Sequence, residues 1–139
     1  MRRRGMAMVE FVIILPVLVL LVFSIVELSV AFGRWLTIGN AAREGVRTAI
    51  VYRPTCQGAQ VAADARQTVK DYAASAGMTL LDSDIQLTGD LCGPRGTTIE
   101  VRATYMHQFQ ALSNLVGPEL APSVSLIGSS VMRNEGSAG

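Results

Sequence analysis

An uncharged run of sixteen residues, 11–26, constrains this chain more than any other feature. A hydrocarbon core takes roughly 20 apolar residues in a helix. The run reaches that length only if it is extended on both sides, past Glu10 to Met6 and past Glu27 to Phe32. Residues 6–32 can therefore span a bilayer with the two carboxylates near opposite interfaces. Pro16 removes one backbone donor inside this segment, which predicts a kinked or loosened helix one to two turns in from Glu10.

Arg2, Arg3 and Arg4 precede the run, and basic residues just before a first apolar segment hold that end in the cytoplasm. The remainder of the chain is expected outside. A carboxylate such as Glu10 at the edge of hydrocarbon is costly unless it is paired or reaches water, so Glu10 reads as a functional residue by default. A discarded secretory signal shares the outline of a basic start, an apolar middle and small residues at a cut, here Ser29, Val30 and Ala31. Two features favour a retained anchor. Glu27 stands just before that cut, and residues 32–52 continue the helical pattern without a break.

With about thirty residues in the membrane segment, one outer domain of around 85 remains, a size that folds alone only marginally. Packing on the long helix, a crosslink or neighbouring subunits should help it. The net charge of +1 is uneven. Residues 1–53 carry seven Arg against three Glu, net +4, and residues 54–139 carry five Lys or Arg against eight Asp or Glu, net −3. An acidic outer part argues against nucleic acid as a partner.

Cys56 and Cys92 both fall in the exported part, in turn-like sequence. In an oxidising compartment such a pair most often forms one structural disulfide, worth roughly 3–4 kcal/mol in the chain-entropy model. Two separated cysteines with one histidine, His107, make no zinc pattern, so no metal is expected. His107 reads as a surface or end-of-strand residue. With no convergent nucleophile, base and oxyanion donors, no catalytic site and no cofactor are expected, and the chain does not read as an enzyme.

Beyond the span, Trp35, Ile38, Ala42, Val46, Ala49 and Ile50 recur at helical spacing, predicting an amphipathic continuation over residues 33–52. A helix from Met6 to Tyr52 would run about 70 Å at ~1.5 Å per residue, so its outer half must pack on something. Pro54 should end it. A second helix is expected over residues 59–76, with Val61, Ala65, Val69, Tyr72 and Ala76 on one stripe, Asp64, Arg66, Lys70 and Asp71 facing away, and Gly77 as its left-handed cap.

The period then changes to two. Ile85 and Leu87 alternate with polar neighbours, as do Ile99, Val101, Ala103 and Tyr105, with a turn at residues 93–96 between them. These read as paired antiparallel strands. Residues 111–122 read as a loop, and residues 123–133 as a last strand whose alternation slips around Gly128 and Ser129, the mark of a bulge or of close backbone approach. The tail, residues 134–139, is polar and expected to fray. The predicted fold is α+β: a long N-terminal helix, a short helix and a three-stranded antiparallel sheet packed on the outer half of the long helix.

Glycine, four residues, glutamate, an aromatic and an apolar helix is how class III prepilins begin. Residues 8–52, with Val9-Glu10-Phe11, Leu15-Pro16, Ile25-Val26-Glu27 and the block from Asn40 to Arg47, resemble the TadE-like pseudopilins of tight-adherence (Flp) type IV pilus systems. The likeness is close over about the first 50 residues and rests beyond them on element order, which makes the outer fold pilin-like.

The resemblance implies a leader of residues 1–5, cut by a prepilin peptidase between Gly5 and Met6. It also implies a transmembrane and assembly helix over residues 6–32 and an extracytoplasmic domain over residues 33–139. The mature protein would sit in the inner membrane as a single pass, or enter a pilus. Its partners would be the peptidase, other pilins or a second pseudopilin, the assembly platform and membrane lipid.

In that scheme Glu10, followed by Phe11, pairs with the new Met6 amine of an adjacent subunit. That pairing neutralises two charges that are expensive in a bilayer and sets axial register. The alternative is a glutamate that snorkels to headgroups or pairs with the arginines of an uncut leader. Glu27 either pairs with Arg34 or marks the outer interface. In the 40–47 block, Ala41, Ala42 and Gly45 suit close packing, while Arg43, Glu44 and Arg47 are candidates for subunit recognition.

Overall fold

The computed structural model describes residues 2–51, 53–110, 113–114, 117, 119 and 122–135, with side chains from Met6 onward. The side chains of Arg2, Arg3, Arg4 and Gly5, the expected helix end at Tyr52, part of the 111–122 loop and residues 136–139 of the tail lie outside the described residues.

The fold is α+β and pilin-like: α1 (Arg2–Ile50), α2 (Gly58–Ser75), a short 3-10 turn (Asp82–Asp84), β1 (Ile85–Thr88), β2 (Thr98–Gln108) and β3 (Ser123–Arg133). The strands form one antiparallel sheet in the order β1-β2-β3. The two helices and three strands are the elements that the hydrophobic periods predict, and the 3-10 turn is an addition to them. Two compact units divide the chain, one of Met1–Phe32 with Gln108–Ser123, the other of Gly33–His107 with Val124–Gly139.

In the first unit α1 stays helical through Pro16. Ser24 and Ser29 turn their hydroxyls onto the Leu20 and Ile25 carbonyls, at 2.8 and 2.9 Å, so neither presents an unsatisfied donor to its surroundings. Among the described residues of the expected 111–122 loop, Ser113 and Asn114 are helical. The Ser113 amide donates to the Phe109 carbonyl (2.9 Å) and the Gly117 amide to Ser113 (3.0 Å).

In the second unit the core is built from α1, α2 and the inner face of the sheet: Ile38, Ala41, Val46 and Ala49; Val61, Ala65, Val69 and Ala73; and Ile85, Ile99, Val101 and Ala103. The α2 stripe advances strictly by four, so it ends on Ala73, while Tyr72 and Ala76, expected inside, are exposed. A row of i+4 steps is the ridge that a short helix offers to a neighbour. After Ser75 the chain closes a Schellman cap around Gly77 at φ 71°. The Gly77 amide bonds Ala74 O and the Met78 amide bonds Ala73 O, with Met78 itself buried in the core.

β1 and β2 pair in register Ile85↔Ala103 and Leu87↔Val101, which sets their apolar positions on one face. On β3 the alternation does not slip. Leu126 and Gly128 are buried and Ser130 and Met132 half-buried, so period two holds with small residues at the middle of the inner face. A side chain at Gly128 would meet the backbone of Ile38 and Gly39 at 2.6 Å. Close backbone approach, not a bulge, accounts for the glycine. Gly45 has the same role against α2, where an added Cβ would strike Val69.

α1 ends at Ile50, and the Ile50 carbonyl, one of the last four that a helix leaves without an internal partner, accepts from the Glu135 amide (3.4 Å). The tail is tied down at its start. Asn134, expected to fray, is buried: its amide donates to Thr97 O (2.7 Å), its carbonyl accepts from Gly96 N (3.0 Å) and its Nδ2 donates to Gly93 O (3.1 Å). The Cys56–Cys92 disulfide closes a separation of 36 residues beside that turn.

Gly128→Val should destabilise the outer domain by roughly 1–3 kcal/mol through overpacking. The double change Cys56→Ser with Cys92→Ser should cost roughly 3–4 kcal/mol. Chemical denaturation of the full chain in detergent, followed by far-UV circular dichroism, checks both.

Candidate assembly helix and its outer flank

Among the described residues one helix is long and apolar enough to cross a membrane. Its candidate span lies in Met6–Ile50, and none of the qualifying window is buried. Met6, Glu10 and Phe11 are all exposed, Met6 at 78% and Phe11 at 60%. A helix that exposes so apolar a window is unstable in water and stable in lipid. Met6 and Glu10 stand four residues apart on α1, hence on the same face. Glu27 is half-buried, and Ala31, the last residue of the alternative cut, is buried within helical backbone.

The flank of α1 just beyond Phe32 differs from what the apolar pattern suggests. Arg34, considered a partner for Glu27, points its Nη1 at His107 Nδ1 (2.8 Å), with its guanidinium 5.8 Å from the Tyr105 ring centre. Arginine cannot accept, so Arg34 donates and Nδ1 accepts. His107 is accordingly no surface residue but 3% exposed. Its place follows from parity: Ile99, Val101, Ala103, Tyr105 and His107 form one continuous inner row of β2. That row could have been read one step further in the sequence. A buried imidazole that needs a fixed donor explains why a cation sits here.

Trp35, expected on the buried stripe, is 46% exposed and donates its indole Nε1 to the Ile127 carbonyl of β3 (3.2 Å). A groove of about 300 Å³ lies between this face of α1 and β3, walled by Trp35, Leu36 and Ile127, and ending at Asn40 and Arg43. Neither the groove nor the Arg34–His107 pair was visible from spacing, since both depend on which helical residue meets which strand.

The 40–47 block divides as its residue types suggest. Ala41, Ala42 and Gly45 are buried, whereas Arg43 and Arg47 are exposed and Glu44 is half-buried. Arg43 Nη1 donates to Asn40 Oδ1 (3.2 Å), and Arg47 pairs with Glu44 (3.4 Å) along the same helix. Such exposed pairs add little stability. On α2, Lys70 bonds Asp82 at 2.9 Å, and this hydrogen bond holds the Asp82 carboxyl below its ordinary range. A depressed carboxyl stabilises the fold above its unfolded value and loses that contribution as the pH falls through the folded one.

Among the described residues, no group of three or more His, Cys, Asp or Glu is placed to hold a metal ion. His107→Phe and Arg34→Met should each cost roughly 1–3 kcal/mol, because each strands a half-buried or buried polar partner. The double variant should lose less than the sum, as a double-mutant cycle in denaturant would read.

Residues 5–47, just under a third of the 139, match the family model described as TadE-like protein. The N-terminal region of the chain is thus TadE-like. No curated protein and no solved structure matches the chain.

Proposed function

We propose that this chain is a minor pilin or pseudopilin that takes part in assembling a tight-adherence (Flp) type IV pilus. A prepilin peptidase cuts it between Gly5 and Met6. The extent of the TadE-like match carries this reading. The match opens at Gly5, runs the length of the exposed apolar segment and ends at Arg47, past the small-residue block. An ordinary anchor or signal needs apolar residues at its start and nothing specific some ten residues beyond Phe32.

In this reading residues 1–5 are the leader, residues 6–32 the membrane and assembly helix, and residues 33–139 the extracytoplasmic domain. Arg2, Arg3 and Arg4 keep the leader in the cytoplasm, where the peptidase meets Gly5. The mature chain stays in the inner membrane by a single pass until it joins other pilins, a second pseudopilin among them, on the assembly platform. The work is non-catalytic.

Cutting creates an ammonium on Met6. The Glu10 carboxylate of a neighbouring subunit neutralises it, and since neither charge is tolerable alone in hydrocarbon the pair fixes the axial offset between subunits. Phe11 and the apolar residues after it supply the lateral packing. Exposure of Met6, Glu10 and Phe11 leaves this face free for such contacts.

N-terminal sequencing of the mature chain should read Met6 first, with a start at Phe32 indicating a released domain and an intact Met1 a plain anchor. Gly5→Leu should accumulate as uncut precursor in the membrane, and its normal processing would remove the peptidase from the scheme. Glu10→Ala should be cut yet fail to co-assemble, so wild-type piliation with that variant would end the register argument.

A further inference from the structure

The sheet of the outer domain has two unlike edges. At one, residues 123–132 of β3 carry neither a charge nor a proline, and Ile127 and Val131 are exposed. A long edge without such protection invites pairing with another strand. At the other edge lies β1, four residues long and entered through the acidic turn Asp82–Asp84.

Backbone parity identifies the unpaired groups of β3. The amide and carbonyl of Asn134 both bond the entry of β2, at Thr97 and Gly96. Even-numbered residues of β3 therefore face β2, and odd-numbered ones face away. The Ile127 carbonyl obeys this rule, since it accepts from Trp35 of α1. Past Ile127, the amides and carbonyls of Ser129, Val131 and Arg133 turn to the open edge, and among the described residues nothing bonds them there. The groove lined by Trp35 and Arg43 runs beside this edge at Ile127 and Ser129.

We propose that this edge of β3 pairs with β1 of a second copy of the chain, whose Leu81 enters the groove beside Trp35 while its Asp82 and Asp84 meet Arg43. The contact is head-to-tail, so one sheet continues into the next. It uses the outer domain alone and goes beyond the pilus reading, on which it does not rest.

The directions agree. Trp35 meets Ile127, Ile38 and Gly39 lie against Gly128, and Ile50 meets Glu135, so β3 runs the same way as the outer half of α1. In an antiparallel sheet of order β1-β2-β3, β1 has the direction of β3. A second copy shifted sideways without turning over thus sets its β1 parallel to the first copy's β3. From Leu81 to Ile85 the chain advances only ~8 Å at ~2 Å per residue of 3-10 turn, about two to three strand residues. With Ile85–Thr88 beside residues 130–133, Leu81 reaches residues 127–128, where the groove lies.

The chemistry agrees in the same order. Along the groove α1 presents Trp35 and Leu36 first, then Asn40 and Arg43. Along the incoming segment Leu81 comes first and the acids follow. Leu81 is 65% exposed, although Met78 and Leu80 just before it are buried. Asp82 bonds Lys70 through Oδ1, and Asp84 accepts from the Leu81 amide through Oδ2, which leaves one oxygen of each for a guanidinium. The Arg43 guanidinium bonds the neutral Asn40 Oδ1 (3.2 Å) and keeps its charge uncompensated by that contact. Two β3 strands paired antiparallel about Val131 would instead set Ser129, beside Arg43, opposite Arg133, and like charges across a strand pair repel.

Three variants of the full chain in detergent, followed by sedimentation, test this. Leu81→Asp spoils the β1 side and leaves the β3 side intact. Ser129→Pro removes an outward amide from β3, where proline costs the sheet no bond. Arg43→Glu, at an exposed side chain, spoils that same side without touching the backbone. Each variant alone should weaken self-association roughly tenfold or more, with circular dichroism and the Cys56–Cys92 bond unchanged. Leu81→Asp mixed with either of the others should form pairs and nothing larger, since one intact edge of each kind remains. Undiminished self-association of Leu81→Asp would assign the edge to β3–β3 pairs and overturn the proposal. A monomeric wild-type chain, a mixture that does not pair, or association that all three variants leave intact, as contact through the membrane helices would, overturns it too. A mature N-terminus other than Met6 removes the pilus reading and leaves this result standing.

Discussion

Everything in the outer domain depends on how closely two backbones can lie. At Gly128 the chain of β3 rests directly against that of α1 at Ile38 and Gly39, nearer than any side chain permits. At Gly45 the same helix admits α2 and β2 together, with Val69 and Val101 closing over the space that a side chain would fill. These two contacts set the distances from α1 to the sheet and to the second helix. The positions of Trp35 against Ile127 and of Arg34 against His107 then follow, because each reaches from α1 to a strand whose distance is already determined.

A domain this small has little core to spend on imprecision, and its ends are secured by different chemistry. At one end the disulfide, the turn around Gly93 and the buried Asn134 hold the start of β2, the end of β3 and the end of α1 together. At the other end no covalent bond is present among the described residues, and the hold comes from an indole N–H on a strand carbonyl and a guanidinium on an imidazole. The second arrangement is polar and specific. It places the most adaptable contacts nearest the long apolar segment in sequence.

Element types were legible in the sequence because each rests on a local period. The change from steps of three and four to steps of two separates α2 from β1, and Pro54, Gly77 and the 93–96 turn mark ends that the structure reproduces to within a few residues. Pairings were less legible. Trp35 counts as apolar in any periodicity, yet its N–H draws it to the surface beside a strand carbonyl. The alternation looked broken around Gly128 and Ser129 only because the inner row there, Gly128 and Ser130, needs small residues rather than apolar ones. His107 looked like a polar end-of-strand residue, since what makes it tolerable inside is an arginine 73 positions away. Long-range partners decided each of these positions, and no local pattern encodes them.

The TadE-like match ends at Arg47, and most of the residues of α1 that meet the rest of the domain, Ile38, Ala41, Ala42, Gly45 and Val46, lie inside it, with Ala49 just beyond. The matched segment therefore contains both the apolar surface and most of the face on which the domain packs. A face made largely of alanine and glycine specifies a distance of approach rather than the shape of a partner side chain, because it presents almost no side-chain relief. Any short helix and sheet that can bring small residues to the same spacing will fit it. Such a helix can keep its own sequence while what packs on it varies.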